Sequence, residues 1–275
     1  MRVTIALPAY DEVGSLERVV AEARATIVDL ALAGEAEILI VDDGSTDGTG
    51  PLADHLATDG AGTPADRLAK DGTAAFADEV ATDSAEAFAD AIATVRVRAV
   101  HHAANRGFSG AMTTCFRGAR GDWVFLASAD GQTPLAELGR FLEASRGADV
   151  VIGVRASRPE PLVRLVLSRG FHAMARAIFA LPEREFSSAF LFRRALLDAM
   201  PFRSLPRSAT LLPEILFRAR RRGARLTTLE VPQRPRLAGR AKGGQLSVAA
   251  LTFVELLRLG ALVRLDEARG VRRSA

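Results

Sequence analysis

The stretch "ASADGQTP" at residues 127–134 has residue types that hold a metal ion. A carboxylate, Asp130, and an amide, Gln132, lie two residues apart on a turn that follows an apolar run. Mg²⁺ and Mn²⁺ prefer oxygen ligands, and Mg²⁺ needs only one or two carboxylates when phosphates and waters complete its shell. Ser128 stands where a second acid would strengthen such a site. The pattern predicts a weakened metal site, and an ordinary turn is the alternative.

Two earlier turns are also acidic. "LPAYDE" at residues 7–12 places Glu12 after the first apolar run, and "VDDGSTDGT" at residues 41–49 places Asp42 and Asp43 after the second. Adjacent acids at the end of a strand can bind a ribose hydroxyl or a base N–H group. Asp and Gly are also ordinary turn residues, so each turn alone favours a nucleotide site only weakly.

A third turn, in "HHAANRGFSGAM" at residues 101–112, leads into a helix. Asn105 and Gly107 precede the helix, and its first N–H groups would face a phosphate placed there. The alternative is that the glycines only ease packing. His101 and His102 would face opposite sides of a strand and have no acidic partner at metal-ligand spacing, so we expect structural roles for both.

Strands and helices alternate along the chain, which predicts a parallel sheet covered by helices on both faces. Apolar runs typical of buried strands lie at residues 3–7, 37–41, 95–100, 123–128 and 149–155, and helical spacing of apolar residues occurs at 12–34, 107–119 and 135–146. Ligands bind beyond the carboxyl ends of such strands. The acidic turns lie at those ends, so we expect one shared site.

Two segments depart from this alternation. Residues 51–94 form an Ala, Asp and Thr-rich insertion that predicts one or two amphipathic helices, more typical of added packing than of a lid. Residues 246–265 are mostly apolar but include Glu255, Arg258 and Arg264, which is too much charge for a membrane span and favours an interfacial or packed helix. We therefore divide the chain into a domain at 1–245 and a C-terminal amphipathic helix with a basic tail at 246–275.

Composition narrows the class of protein. The 275 residues are 48% hydrophobic and 25% charged, which is globular, and the single Cys115 with no signal peptide predicts a cytoplasmic protein. The net charge is −12 over residues 1–150 and +15 over 151–275, which favours anionic partners of the second half. We expect no nucleic acid among them, because no known module is present and only one Trp and one Tyr are available for stacking.

The order of the motifs carries a resemblance. The motifs are "LPAYDE", "EILIVDDGSTDGT", "ANRGFSGAM", "GDWVFLASADGQTP", "VIGVR", "LSRGFHAMARAIF", "SSAFLFRR" and "GRAKGG". Together they resemble family 2 glycosyltransferases of the GT-A fold, and within them the polyprenol-phosphate mannose or glucose synthases. The resemblance implies an α/β fold with a Rossmann-like, mixed but mainly parallel sheet flanked by helices, in a single domain with a C-terminal amphipathic helix.

The resemblance also implies an activity: transfer of a sugar from a UDP- or GDP-sugar to a polyprenyl phosphate, with inversion at the anomeric carbon. By that resemblance the nucleoside pocket is lined by Pro8, Tyr10, Glu12, Asp42 and Asp43, with Asn105 and Gly107 nearby. It also implies that Asp130 and Gln132 bind Mg²⁺ or Mn²⁺ on the diphosphate. The acceptor phosphate and the sugar would be bound by Arg155, Ser168, Arg169 and Lys242. The catalytic set is Asp130, Arg155, Arg169 and Lys242.

A phosphate acceptor is already an anion at neutral pH, so the reaction needs positioning and charge neutralisation and no general base. The basic second half of the chain supplies that charge. A lipid acceptor implies peripheral association with the inner face of the cell membrane through residues 246–275. The alternative function is a catalytically degenerate protein that binds a nucleotide sugar or a pathway partner without turnover.

Overall fold

The computed structural model describes residues 2–58, 82–155, 162–183, 188–238 and 246–274. Its centre is a seven-stranded sheet in the order β3-β2-β1-β4-β6-β5-β7. The strands are β1 (Val3–Ala9), β2 (Ala36–Asp42), β3 (Arg96–His101), β4 (Trp123–Leu126), β5 (Val150–Arg155), β6 (Phe190–Arg193) and β7 (Leu226–Val231). Only β6 runs antiparallel to its two neighbours, β4 and β5. The expected mixed, mainly parallel sheet is confirmed.

Helices cover both faces of this sheet. Those in the described parts of the chain are α1 (Val13–Asp29), α2 (Thr49–Thr58), α3 (Thr82–Thr94), α4 (Phe108–Gly118), α5 (Leu138–Ala144), α6 (Leu162–Phe179), α7 (Arg194–Asp198), α8 (Leu211–Arg221) and α9 (Leu246–Ser274). A short 3₁₀ turn, Leu135–Glu137, precedes α5. The predicted helix at 135–146 therefore begins as a tighter turn.

Two hydrophobic cores lie on opposite faces of the sheet. In the first, Leu16 and Ile27 of α1 pack with Ile5 and Ile38. In the second, Phe116 of α4 joins alternate residues of the same strands and the buried faces of α8 and α9. Both faces of β1 and β2 are buried, which explains why these strands are continuous apolar runs in the sequence.

The predicted insertion at 51–94 begins and ends in helices. Its first helix, α2, already begins at Thr49, and its last, α3, packs against α1. The part between them, residues 59–81, lies outside the described residues. The packing role expected for the insertion stays a prediction.

The C-terminal helix α9 is amphipathic, as expected. Leu256, Leu259 and Val263 are buried in the second core, where α9 packs against α6. The large apolar side chains exposed on its outer side are Leu251, Val254, Leu257 and Leu265. None of the helices in the described ranges is long and apolar enough to cross a membrane. The division of the chain at residue 245 stays a prediction.

Buried charges fasten α9 to the rest of the molecule. Glu214 and Arg218 of α8 form an ion pair at 2.9 Å with side chains that are 0% and 1% exposed. Arg218 continues to Asp266 of α9 at 3.2 Å. Burial opposes the charged form of Asp266, but hydrogen bonds from Arg203 and Arg218 prevail and lower its pKa. Glu255 of α9 accepts the backbone N–H of Leu205 at 3.0 Å.

Candidate active site

The turns that carry the predicted site residues lie at one edge of the sheet. Strands β1 to β5 all run in the same direction, because β4 and β5 are both antiparallel to β6. Their carboxyl ends therefore meet at a single edge, which is the usual ligand-binding edge of an open α/β sheet. Pro8 and Asp42 lie among the last residues of β1 and β2, where Pro8 pairs with Val41 and Asp42 pairs with Ala9.

The two acidic turns at the start of this edge interlock. The backbone N–H of Asp11 donates to Ser45 Oγ at 2.8 Å, and Thr46 N–H donates back to Asp11 Oδ1 at 2.8 Å. Asp11 has a φ of 47°, a left-handed conformation that Asp and Asn tolerate better than most residues. The adjacent Tyr10 is half-buried at the end of β1. These turns form one unit of fixed shape.

Asp42 and Asp43 bind groups of the protein itself. Asp42 accepts Ser45 N–H at 3.0 Å and lies 3.1 Å from His101 Nδ1, while the other ring nitrogen of His101 lies 2.9 Å from Asp54 of α2. Asp43 lies 2.6 Å from His102 Nδ1. These partners are not evident from the sequence, because the acids lie 47 to 59 positions from the histidines in the chain. The pairing of β2 with β3 brings Asp42 and Asp43 near them, and α2 carries Asp54.

Asp43 also fixes the turn that was expected to bind phosphate. Its carboxylate accepts the backbone N–H groups of Arg106 at 2.9 Å and Gly107 at 2.8 Å. These two N–H groups, which precede α4, are therefore engaged by a carboxylate. The expectation that the first N–H groups of α4 face a phosphate stays a prediction. Asn105 and Gly107 do lie at the site edge, but the structure gives them a role in shaping it.

A half-buried arginine bridges two of the predicted acids. Arg236 donates from Nη1 to Asp130 Oδ2 at 3.0 Å and from Nη2 to Glu12, and its Nε donates to the carbonyl of Ala238 at 2.9 Å. The hydroxyl of Ser15 in α1 lies within hydrogen-bond distance of both the Glu12 carboxylate and the carbonyl of Ala129. Glu12 and Asp130 thus meet at one point, which we call the arginine corner and define by Glu12, Asp130 and Arg236.

Arg236 was not among the residues predicted for the site. Its only signal was its place in the loop "PQRPRLAGRAKGG", which follows the last strand and also holds Lys242. Backbone hydrogen bonds hold this loop to the turn after β4: Arg234 N–H donates to Gln132 O at 2.8 Å and Leu237 N–H to Asp130 O at 3.1 Å. Arginine is so common in the second half of the chain that its sequence position did not distinguish Arg236 from the other arginines.

The arginine corner combines two carboxyl groups with one guanidinium. Burial raises the pKa of Glu12, against the opposing effect of the Arg236 guanidinium, and the nearby Asp130 carboxylate adds to the rise. Asp130 is itself 5% exposed and accepts Gln132 N–H at 3.0 Å through its second oxygen. The corner therefore offers negative charge that Arg236 only partly neutralises.

The residues present fit a divalent ion in part. Asp130 and Gln132 are hard oxygen donors suited to Mg²⁺ or Mn²⁺. Within the described ranges, however, no three His, Cys, Asp or Glu side chains are grouped as metal ligands. Such an ion would need oxygens from a bound diphosphate to complete its shell, as the sequence analysis expected from Ser128.

Three of the remaining predicted residues, Arg155, Ser168 and Arg169, belong to β5 and α6, which do not carry the residues of the arginine corner. Arg155 is half-buried at the carboxyl end of β5, on the same edge. Ser168 and Arg169 lie in α6, where Ser168 is half-buried beside His172 and Arg169 is exposed. Lys242 falls outside the described residues, so its predicted role stays a prediction.

An open cleft adjoins the 105–107 turn. It has a volume of about 430 Å³ and is lined by Arg106, Leu205, Pro206, Arg207 and Leu251. Leu251 belongs to the exposed apolar side of α9. Arg207 donates to the carbonyl of Asn105 at 3.2 Å. The cleft thus joins the rim of the site to the C-terminal helix and combines two arginines with an apolar wall.

Fold and site together define an α/β protein of the GT-A type, with its acidic turns at the carboxyl edge of the sheet. The sequence pattern of glycosyl transferase family 2 matches residues 4–65 and 69–207. The chain therefore belongs to glycosyl transferase family 2 and is a glycosyltransferase.

Two curated relatives and one solved structure illustrate the similarity. The chain is 26% identical to the polyprenol monophosphomannose synthase of Mycolicibacterium smegmatis, over 98% of this chain and 91% of that protein. It is 28% identical to the undecaprenyl-phosphate mannosyltransferase of Micrococcus luteus, over 65% of this chain and 58% of that protein. The glucosyl-3-phosphoglycerate synthase of Mycobacterium tuberculosis, solved with Mn²⁺, UDP-glucose and phosphoglyceric acid, superimposes with a TM-score of 0.60 at 16% identity, covering 94% of this chain and 80% of that one. That last likeness concerns the fold.

Proposed function

We propose that the protein transfers a sugar from a nucleoside diphosphate sugar to a polyprenyl phosphate, with inversion at the anomeric carbon. The observation that carries the proposal is the match to polyprenol monophosphomannose synthase, which extends over 98% of this chain and 91% of that protein. An oxygen of the acceptor phosphate forms the new bond to the anomeric carbon as the bond to the diphosphate breaks. The nucleoside diphosphate is the leaving group.

The donor would bind at the carboxyl edge of β1, β2 and β4. Pro8, Tyr10 and Asp42 lie at the end of β1 and β2, on the side proposed for the nucleoside. Asp43 would act there through the turn that it shapes, because its own carboxylate is 3% exposed and already binds three protein groups. Glu12 would serve the diphosphate side, since it shares the arginine corner with Asp130.

A divalent cation is part of the proposal. Asp130 and Gln132 would hold Mg²⁺ or Mn²⁺ together with diphosphate oxygens, and the ion would neutralise charge on the leaving group. Structures with a similar fold contain Mn²⁺ or Mg²⁺ with UDP, which supports this choice. On the acceptor side, we propose that Arg155, Ser168, Arg169 and Lys242 bind the acceptor phosphate and the sugar.

We also propose that the protein works at a membrane surface on the cytoplasmic side. The exposed side of α9 carries Val254 and Leu257, which are 67% and 62% exposed, beside Arg258 and Arg264. An apolar strip flanked by arginines suits the interface of an anionic bilayer, where a polyprenyl phosphate resides. The cleft at Arg106 and Arg207 opens next to this strip.

The test is a turnover screen. The purified protein is given several radiolabelled UDP- and GDP-sugars with a short polyprenyl phosphate, and label in the lipid phase is counted. We expect transfer from at least one donor, loss of transfer in Asp130→Asn, and normal transfer in Arg140→Gln, an exposed residue that pairs only with Glu137 in the described structure. Nucleotide binding without transfer to any lipid or soluble acceptor would favour the degenerate function instead. The pairing of Asp130 with Arg236 is the observation that favours this second function, because it engages the carboxylate proposed to bind the metal ion.

A further inference from the structure

The arginine corner places a cation where a metal ion would bind. Arg236 Nη1 lies 3.0 Å from Asp130 Oδ2, and the same guanidinium donates to Glu12. The Asp130 and Glu12 side chains are 8% and 9% exposed, and that of Arg236 is 19% exposed. Two nearly buried carboxylates thus share one guanidinium, with Asp130 turning its other oxygen to Gln132 N–H.

The position of Arg236 is set by its backbone. Leu237 N–H donates to Asp130 O and Arg234 N–H to Gln132 O, so the segment that carries Arg236 runs along the turn that carries Asp130. The backbone at Arg236 is therefore held beside the corner even when the hydrogen bonds of the guanidinium change. Three side-chain bonds, to Asp130, Glu12 and the Ala238 carbonyl, define the position of the guanidinium.

A guanidinium in this position opposes the binding of a free divalent ion. Mg²⁺ binds its oxygen ligands at about 2.0–2.1 Å, so it would compete with Arg236 for Asp130 Oδ2 and stand within a few ångströms of a like charge. A nucleoside diphosphate changes the balance in two ways. Its oxygens give the guanidinium a bidentate partner in place of the carboxylates, and they supply ligands that the metal otherwise lacks.

We propose that Arg236 makes divalent-cation binding at Asp130 depend on the diphosphate, by capping Asp130 and Glu12 until a nucleotide draws the guanidinium away. The inference rests on the proposed function in one respect, that a nucleoside diphosphate is the ligand. Without the arginine, Glu12 and Asp130 would face each other as two carboxylates, an arrangement that favours a divalent ion on its own. Arg236 therefore decides which cation the corner holds in each state.

The test measures Mn²⁺ binding directly, by the loss of the free-ion electron paramagnetic resonance signal. Full-length wild type, Arg236→Gln and Arg234→Gln are titrated with Mn²⁺ alone, then with Mn²⁺ and either UDP or GDP. Arg234 is the matched control, because it lies on the same segment but forms a more exposed pair with Glu22. Thermal melts establish that each variant is folded.

We expect wild type and Arg234→Gln to bind Mn²⁺ only when UDP or GDP is present. Arg236→Gln binds Mn²⁺ alone, about tenfold or more tightly than wild type does without nucleotide. Wild type that binds Mn²⁺ alone as tightly as Arg236→Gln does would overturn the inference, and that comparison needs no activity. If Arg236→Gln is unfolded, Arg236→Lys keeps the charge and must retain the nucleotide requirement, while Mn²⁺ bound tightly by wild type without nucleotide still refutes the cap.

The proposed function fails separately. If neither UDP nor GDP binds to any variant, with or without Mn²⁺, the donor assignment is wrong. The titrations with Mn²⁺ alone still report whether Arg236 caps the two carboxylates.

Discussion

At the scale of single residues, Gly131 decides how the arginine corner is assembled. It has a φ of 73°, and a Cβ built on it would lie 2.3 Å from Leu237 Cδ1. Leu237 is the neighbour of Arg236 and is bonded through its N–H to Asp130. A side chain at position 131 would therefore have to displace the Leu237 side chain, which is next to the residue that carries the guanidinium.

We expect Gly131→Ala to cost more stability than Gly223→Ala. Both glycines have a φ of 73°, but nothing lies within 4 Å of a Cβ at Gly223. The control therefore measures the cost of the left-handed backbone, about 1–2 kcal/mol, and Gly131→Ala adds the displacement of Leu237. Urea denaturation measures both variants. Equal losses of unfolding free energy would show that Leu237 adapts without cost.

His101 gives the fold a dependence on pH. Burial disfavours its charged form, but hydrogen bonds to Asp42 and Asp54 prevail and raise its pKa above the ordinary 6.5. A raised folded pKa stabilises the fold fully below the unfolded pKa, and this contribution is lost as the pH rises through the folded pKa. Between about pH 6 and 8, wild type should lose stability relative to His101→Gln as pH rises. Urea midpoints that change in parallel across this range would contradict the assignment.

At the scale of elements, the sequence predicted the fold well and the site only in part. Both faces of β1 and β2 are buried, so apolar runs and following turns were enough to locate the strands and their common edge. The partners of the acids were not predictable in this way. His102 meets Asp43 because β2 and β3 lie side by side. Arg236 meets Glu12 because the loop after β7 is hydrogen-bonded to the turn after β4. No local pattern records such contacts.

Helix α8 shows the same limit in the core. Glu214 and Arg218 on this helix are fully buried, where an apolar pair would be expected from burial alone. Glu214 also accepts the backbone N–H groups of Arg203 and Ser204, and Arg218 reaches Asp266 in α9. The partners of these two charges lie on other segments of the chain, so the sequence of the helix alone does not predict the buried pair.

We expect Arg218→Met to destabilise the fold by about 3–5 kcal/mol, because the substitution leaves the Glu214 carboxylate buried without its counter-charge. Arg140→Met is the control: it removes an exposed pair with Glu137 and should cost about 0–1 kcal/mol. Chemical denaturation followed by circular dichroism gives both values. A loss in Arg218→Met as small as in the control would mean that the buried pair contributes little to the stability of the fold.

At the scale of the whole molecule, charge and apolar surface are unevenly distributed. The first half of the chain has a net charge of −12 and supplies the acidic turns, whereas the second half has +15 and supplies Arg236, Arg207 and α9. The proposed reaction brings two anionic substrates together. A basic second half placed beside an acidic edge suits that task, since it attracts phosphates while the acids retain a cation.

The proposed membrane-binding side of α9 can be tested by substitution. We expect the double substitution Val254→Asp and Leu257→Asp to abolish co-sedimentation with anionic liposomes and to leave the melting temperature nearly unchanged, because both side chains are more than 60% exposed. Phe88→Asp is the control, an exposed apolar residue of α3 that is 39% exposed. Binding of the double variant equal to that of wild type would exclude this face of α9 as the membrane contact.

The loop at residues 203–207 lies between α9 and the rim of the site. Glu255 of α9 holds the N–H of Leu205, and Pro206 accepts the N–H of Gly110 at the start of α4. Arg207 then reaches the carbonyl of Asn105, next to the turn that Asp43 fixes. The helix and the rim are thus coupled mechanically by short, directional bonds. If α9 rests on a bilayer, the height of the sugar above the lipid headgroups is set by this loop, and lengthening it would uncouple surface binding from transfer.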